Sequence, residues 1–349
     1  MNVMESSDIG RVQAVMRLGY TEREATFLRL VALHGGFFVR RQYCQFIDRE
    51  AGGTDAALIE KLISKRHGTV VMGCGNANIY HVSARTFYAV LGEEDNRNRR
   101  TRPPVAIKNK LMGLDFVFSH SDCRFLATED EKVGHFESLG IERAALPAKM
   151  FRSPNGRDET LRYFVDKYPI FIPAESSSAP LVSFCFIDEG VITTGRFETY
   201  LKQYSRLFAR LPRFNLIYVA TWETEFELAQ KAFQNFVSRE AQRRSGQLSD
   251  PDRERLLRHF EDRRLFETGQ ALDRIRLLRL RDEREQFSAR RFQALYDCWK
   301  ASGEAAIRAE LAQQTPVVDA SRVHFSTFKL SHNYEIFGSF GASQRRVGG

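Results

Sequence analysis

Apolar positions in residues 21–92 change period along the chain, and the change orders the elements. Ala25, Leu28, Val31 and Ala32 recur at helical spacing, with Phe27 and Leu30 widening the stripe. Thr21 and Glu24 form a Thr-x-x-Glu capping box that predicts the start of this helix. Gly35-Gly36 predicts its end. A second helix is predicted from about Phe38 to Asp48, because Val39, Tyr43, Phe46 and Ile47 share one face while Arg40, Arg41, Gln42 and Gln45 take the other. After Gly52-Gly53, Thr54 is placed to cap a third helix whose buried face is Leu58, Ile59, Leu62 and Ile63. The period then becomes extended. Residues 69–72 and 79–82 read as strands flanking Gly73-Cys74-Gly75-Asn76-Ala77, and Ser83 is placed to cap a closing helix that ends at Gly92.

Three short helices followed by a two-stranded ribbon is the order of a winged-helix module, which sets its third helix in the major groove of duplex DNA and its ribbon tip against nearby phosphates. The candidate DNA-contacting residues are Arg40, Arg41 and Gln42 on the second helix, and Thr54, Lys61, Ser64, Lys65 and Arg66 on and after the third. Asn76 and Asn78 lie at the ribbon tip. Asp55 and Glu60 fit a groove-inserted helix only if they face away or read a cytosine amine. A winged helix used for protein contacts or dimerisation is the alternative reading. Arg97, Arg99, Arg100, Arg102, Lys108 and Lys110 come next, in a connector containing Pro103-Pro104, suited to tracking a phosphate backbone. The plainer reading of that tract is a solvated linker.

Thr21-Glu22-Arg23-Glu24 before Phe27-Leu28, the Phe37-Phe38-Val39-Arg40-Arg41-Gln42 segment, and Ile79-Tyr80-His81-Val82 carry a resemblance. On these residues the segment from Thr21 to Gly92 resembles the N-terminal winged helix of the replication-relaxation family of plasmid and integrative-element proteins. The resemblance implies DNA binding in replication, mobilisation or regulation of a mobile element. No Arg-rich turn opens the third helix, which is a departure from the family's pattern.

Composition narrows the partners. The net charge of +8 and a pI near 9.3 favour an acidic partner, of which duplex DNA is the expected one. Among the 349 residues there is no apolar run long enough to span a membrane, and Met1 to Gly10 lack the features of a signal peptide, so a cytoplasmic protein without membrane contacts is expected. Cys44, Cys74, Cys123, Cys185 and Cys298 are odd in number and widely spaced, which indicates neither a disulfide framework nor a zinc site.

Beyond the connector, a helix is predicted at 105–118, a strand at 124–127, and a Thr128-capped helix ending near Gly140. Strands are predicted at 161–165, 169–172 and 181–187, then a helix at 197–211 and a strand at 215–220. Three strands, a helix and a fourth strand is also the order of a restriction-endonuclease-like core. Such a nuclease needs an Asp ending its second strand and a Glu-x-Lys on its third, to hold a divalent metal and activate water. The third strand, Leu181-Val182-Ser183-Phe184-Cys185-Phe186-Ile187, has neither, and Asp166-Lys167, Glu175 and Asp188-Glu189 do not match the spacing. The eight histidines show no ligand spacing, and no Gly-rich phosphate loop precedes Lys-Ser or Lys-Thr.

From Thr224 to Gln314 the chain turns helical and Arg-rich, with an apolar stripe that lacks a strict heptad and an aromatic-rich patch of Phe287, Phe292, Leu295, Tyr296 and Trp299 that reads as core, with an interface as the alternative. Its Arg excess fits either ion pairs three or four residues apart or an extended phosphate contact.

The expectation is therefore a multidomain α+β or α/β protein. It comprises a winged-helix DNA-binding domain at 1–92, a basic linker at 93–110 and a mixed α/β domain at 111–223. A charged helical arm at 224–314 and a terminal strand with a loose tail at 315–349 complete it. It would bind duplex DNA without a cofactor, metal or catalytic residue, and pair with its copy or a protein through the arm. An interaction subunit of a nucleic-acid-processing complex and a metal-dependent nuclease are the alternatives.

Overall fold

A computed structural model describes residues 6–50, 52–74, 77–152, 159–166, 168–173, 182–190, 195–245, 248, 250–284, 286–312 and 318–334. The chain is mixed α+β, with twelve α-helices and three sheets among these residues. It divides into two compact units, residues 1–236 with 319–349, and residues 237–318.

The first unit begins with α1 (Ser6–Met16), a helix not anticipated from the sequence. Val12 and Val15 bury its inner face, and Asp8 pairs with Arg29 of α2 (Glu22–His34) at 2.5 Å. The α2 capping box forms as expected, with the Thr21 amide donating to the Glu24 carboxylate at 2.8 Å. Phe37 and Phe38 do not open a helix. With Val39 they form strand β1 (Phe37–Val39), paired antiparallel with β3 (Ala77–Val82), and the next helix, α3, spans only Arg40–Phe46. Bulky aromatic and β-branched side chains favour the extended state once a partner strand is present. Gly36, at φ 82°, makes the preceding turn, where a Cβ would sit 2.5 Å from the Asn98 carbonyl.

Helix α4 (Gly53–Ser64) is capped differently from the expectation. Gly52 is its N-cap, its amide donates to Asp55 at 2.7 Å, and Thr54 lies exposed inside the first turn. β2 (Gly68–Cys74) pairs with β3, giving a sheet of order β1-β3-β2, and α5 (Arg85–Val90) starts after Ala84 rather than Ser83. The core beneath contains Phe27, Phe38, Tyr43, Leu58, Leu62 and Phe87.

The expected linker is ordered. Asn98, in a 3-10 turn at Arg97–Arg99, is buried and donates to the Ala32 and Leu33 carbonyls at 2.9 and 3.0 Å. Its own carbonyl meets His81 Nε2 at 2.8 Å. Helix α6 (Pro104–Ser119) then packs against α2 and β1, so residues 1–119 belong to the same compact unit as the larger sheet instead of forming a tethered domain.

The larger sheet runs β10-β9-β8-β7-β4. Here β4 is Arg124–Phe125, β7 Ile170–Ile172, β8 Val182–Ile187, β9 Phe214–Ala220 and β10 Val323–Lys329. β4, β7 and β8 are antiparallel neighbours, while β8, β9 and β10 are parallel. All six β8 residues are buried, as expected for a strand covered on both faces. The last strand therefore completes this sheet rather than standing apart. Helix α7 (Glu129–Ser138) has its predicted Thr128–Glu131 box. β5 (Ala148–Arg152) and β6 (Glu159–Tyr163) make a separate hairpin, only part of which the sequence pattern predicts. Helix α8 (Gly195–Phe208) links β8 to β9 and buries Phe197, Tyr200, Leu201, Tyr204, Leu207 and Phe208 at helical spacing.

α9 (Thr224–Ser245) contains the division between the units. The second unit contains α10 (Asp250–Glu267), α11 (Arg274–Glu283) and α12 (Arg290–Ala312), the last interrupted at Gly303 with φ 80°. Leu256, Leu257, Phe260, Phe287, Phe292, Tyr296 and Trp299 form its core, so the aromatic patch is interior as expected. No helix is long and apolar enough to cross a membrane, among the described residues.

Candidate nucleic-acid interface

Asp55, Leu58 and Leu62 turn inward from α4, which leaves Ala56, Ala57, Glu60 and Ser64 exposed on the opposite side. Short side chains there allow close approach of another surface. Lys65 and Arg66 come after the last turn, both exposed, with Arg66 in the left-handed region at φ 56°. Neither makes an ion pair among the described residues. Lys61 does not join them, because its Nζ donates to Glu24 at 2.6 Å. Asn78 is exposed beside the ribbon tip, and Asn76 lies outside the described residues.

The candidates on α3 have other roles. Arg40 pairs with Asp55 and donates to the Gly52 carbonyl at 3.0 Å, which fixes the start of α4. Asp55 is thus turned away from the exposed face, as a groove-facing helix requires. Gln42 is fully buried: its side-chain oxygen caps the Val39 amide at 3.0 Å, and its amide donates to the Leu111 carbonyl and to Asp115 at 2.9 and 2.8 Å. No edge of Gln42 is left to read a base. Arg41 donates to both oxygens of Asp115 at 2.9 Å and to the Tyr334 hydroxyl at 2.6 Å.

The Arg97–Arg102 segment is a fastened basic ridge. The Arg97 guanidinium lies 4.1 Å over the Phe151 ring, and Arg102 donates to the Arg97 carbonyl at 3.1 Å. Arg99 donates to the Glu94 carbonyl at 2.5 Å, while Arg100 is exposed. Burial, and then the charges of Arg100, Arg102 and Arg162, hold the Arg97 pKa below its usual value. Cations crowded in this way gain from an anion placed among them. Lys108 is buried and does not belong to the ridge.

A second cluster lies where β7 begins and β8 ends, beside a cavity of about 330 Å³ lined by Asn109, Lys110, Asp166, Tyr168, Glu189 and Arg196. Asp166 accepts from the Tyr204 hydroxyl at 2.9 Å and the Tyr168 amide at 3.1 Å. Burial raises its pKa, and Lys132 and Lys110 oppose that shift. The same burial lowers both lysines to about 8. Lys132 donates to the Tyr168 carbonyl at 2.9 Å. Glu189 is held by Arg196 and by Asn109 at 3.1 Å, and Asp188 by the Tyr218 hydroxyl. These carboxylates are therefore engaged by cations and hydroxyls. Among the described residues, no group of three or more His, Cys, Asp or Glu side chains is placed to hold a metal ion. Lys167 and Glu175 lie outside the described residues.

Sequence reasoning misses both the Lys110–Asp166–Lys132 cluster and the Arg41–Asp115–Tyr334 junction. Their members come from different elements with no spacing motif to link them. Comparison with protein-family models, curated proteins and solved structures finds no match to this chain.

Proposed function

We propose that this chain is a non-enzymatic DNA-binding protein whose residues 1–92 act as a winged helix, with α4 entering the major groove and the β2–β3 ribbon beside it. The observation that carries this reading is the outward face of α4. It combines Ala56, Ala57 and Ser64 with Lys65 and Arg66, which make no ion pair among the described residues, on a helix whose acidic Asp55 is turned inward, while Glu60 shares the outward face and is left to accept from a cytosine amine. The sheet order β1-β3-β2 with helices between β1 and β2 supports it. The ridge of Arg97, Arg99, Arg100 and Arg102 supplies phosphate contacts, and the net charge of +8 favours the same partner. The resemblance to replication-relaxation proteins suggests a role in replication, mobilisation or regulation of a mobile element in the cytoplasm.

β7, β8, α8 and the parallel β9 keep part of the order of a restriction-endonuclease-like core and support reading the larger sheet as one that does not cut, although the predicted first strand at 161–165 lies in the separate β5–β6 hairpin and β4 takes its place as the third antiparallel strand. Asp166 and Glu189 are compensated there by side-chain cations rather than arranged for a metal.

Fluorescence anisotropy with a labelled duplex tests the proposal. Lys65→Glu with Arg66→Glu lowers affinity at least about tenfold, and flattens the slope of log affinity against log salt by about two, the count of lost phosphate contacts. Unchanged affinity and slope would overturn it.

A further inference from the structure

Among the described residues, helix α11 is tied to α10 through ion pairs on one side. Asp262, nearly inaccessible, accepts from Arg279 Nε at 2.9 Å and faces Arg276 at 3.8 Å. Glu283 faces Arg255 at 3.4 Å and His259 at 3.6 Å. Arg274, Ile275, Leu278 and Asp282 lie to one side of these pairs, within an arc of about 100° at 3.6 residues per turn. Ile275 is 76% exposed and Leu278 49%. Leu277, 43% exposed, and Arg281 border the arc. Arg274 and Asp282 are exposed, and neither makes an ion pair among the described residues. Apolar side chains concentrated on so short a helix mark a contact surface.

The charges select the occupant. Nucleic acid leaves Ile275 and Leu278 uncovered, an anionic lipid surface repels Asp282, and an acidic protein segment satisfies Arg274 but not Asp282. Arg274 and Asp282 lie four residues to either side of Leu278, so the face is complementary to itself when inverted.

We propose that two copies of this chain associate through antiparallel α11 helices, with the two-fold axis at Leu278 and Arg274 of each copy paired with Asp282 of the other. Leu278 then meets Leu278 across the axis, with Ile275 beside it. A contact of about 15 Å of helix gives a reversible dimer with a dissociation constant on the order of micromolar.

Sedimentation equilibrium of the full chain tests this. The protein dimerises reversibly, and Ile275→Glu with Leu278→Glu leaves it monomeric with unchanged circular dichroism. Arg274→Glu and Asp282→Arg each weaken self-association about tenfold, because each puts like charges face to face twice. An equimolar mixture of these two variants restores the dimer, since both cross-pairs become attractive. A protein monomeric at all concentrations, a dimer indifferent to these changes, or two variants that fail to rescue each other would overturn the proposal. So would monomeric protein that sediments with phosphatidylglycerol vesicles through Ile275 and Leu278.

Discussion

Arg41 of α3 and Asp115 of α6 form a two-pronged ion pair across 74 positions of sequence, with Nη2 at 2.9 Å from each carboxylate oxygen. The pair is closed by the Tyr334 hydroxyl, which lies 2.8 Å from Asp115, and by the Gln42 amide. A carboxylate that is 3% exposed depends on these donors for the hydration it has lost. Asp115→Ala strands Arg41, Gln42 and Tyr334 together, so it lowers stability by about 3 kcal/mol in urea titration. Tyr334→Phe removes one hydroxyl, which donates to Asp115 and accepts from Arg41, but leaves the carboxylate with its other donors, and costs about 1 kcal/mol. Equal losses for the two variants would show that the carboxylate is not the hub.

That junction also explains which features are legible along the chain and which are not. The capping boxes Thr21–Glu24 and Thr128–Glu131 and the apolar period of α8 are local, so residues three or four apart suffice to find them. Arg41 and Gln42 sit on the polar side of their helix and read as solvent-facing. Their partners on α6 lie some 70 positions away, and no local pattern announces them. Strand β1 is hidden for the same reason, since Phe37 and Phe38 are extended only because Tyr80 and His81 pair with them. The β5 strand, Ala148–Arg152, is mostly exposed and so lacks an alternating apolar signature. Of the candidate contacts, Lys65, Arg66, Ser64 and Thr54 are surface residues, whereas Gln42 is interior and Lys61 is tied to Glu24.

Gln42 separates a folding role from a DNA-contacting one. Gln42→Ala removes the Val39 cap and two buried hydrogen bonds, so it lowers the thermal midpoint, by about 2 kcal/mol in equivalent stability. Below that midpoint the proposed reading expects it to bind duplex DNA as the parent does. Under the proposed DNA-binding reading Arg100→Glu does the reverse: it lowers affinity and salt dependence and leaves stability unchanged, because the guanidinium is exposed. A Gln42→Ala protein that is fully folded but fails to bind would place this residue in the groove.

The sheet-end cluster makes a prediction about metals. Asp166 is surrounded by two ammonium groups and the Tyr204 hydroxyl, and Glu189 is held by Arg196, so a divalent cation meets repulsion rather than ligands. Millimolar magnesium or manganese therefore leaves the thermal midpoint unchanged and plasmid DNA uncut. Lys132→Met removes one cation from beside Asp166 and raises the Asp166 pKa further. Metal-dependent stabilisation or nicking by the parent protein would contradict a cluster closed to divalent ions.

His34 gives the chain a stability that depends on pH in the acid range. Burial lowers its pKa to about 3, and Arg29, Lys132 and Lys110 push in the same direction, so the folded state holds the ring neutral. The ring packs edge-on against Phe125 with centroids 5.4 Å apart. In the unfolded chain the same group titrates near the ordinary value of about 6.5. Between about pH 6.5 and pH 3 the unfolded state therefore binds a proton that the folded state does not. Stability consequently falls as pH is lowered through this window, by up to about 1.4 kcal/mol per pH unit from this residue. Above about pH 6.5 His34 contributes no slope. His34→Phe keeps an aromatic ring beside Phe125 without the proton site, so its stability declines less than that of the parent from about pH 6.5 to about 4. Urea titrations at half-unit pH steps check this, and parallel pH profiles for the two proteins would show that His34 is already solvated in the folded state.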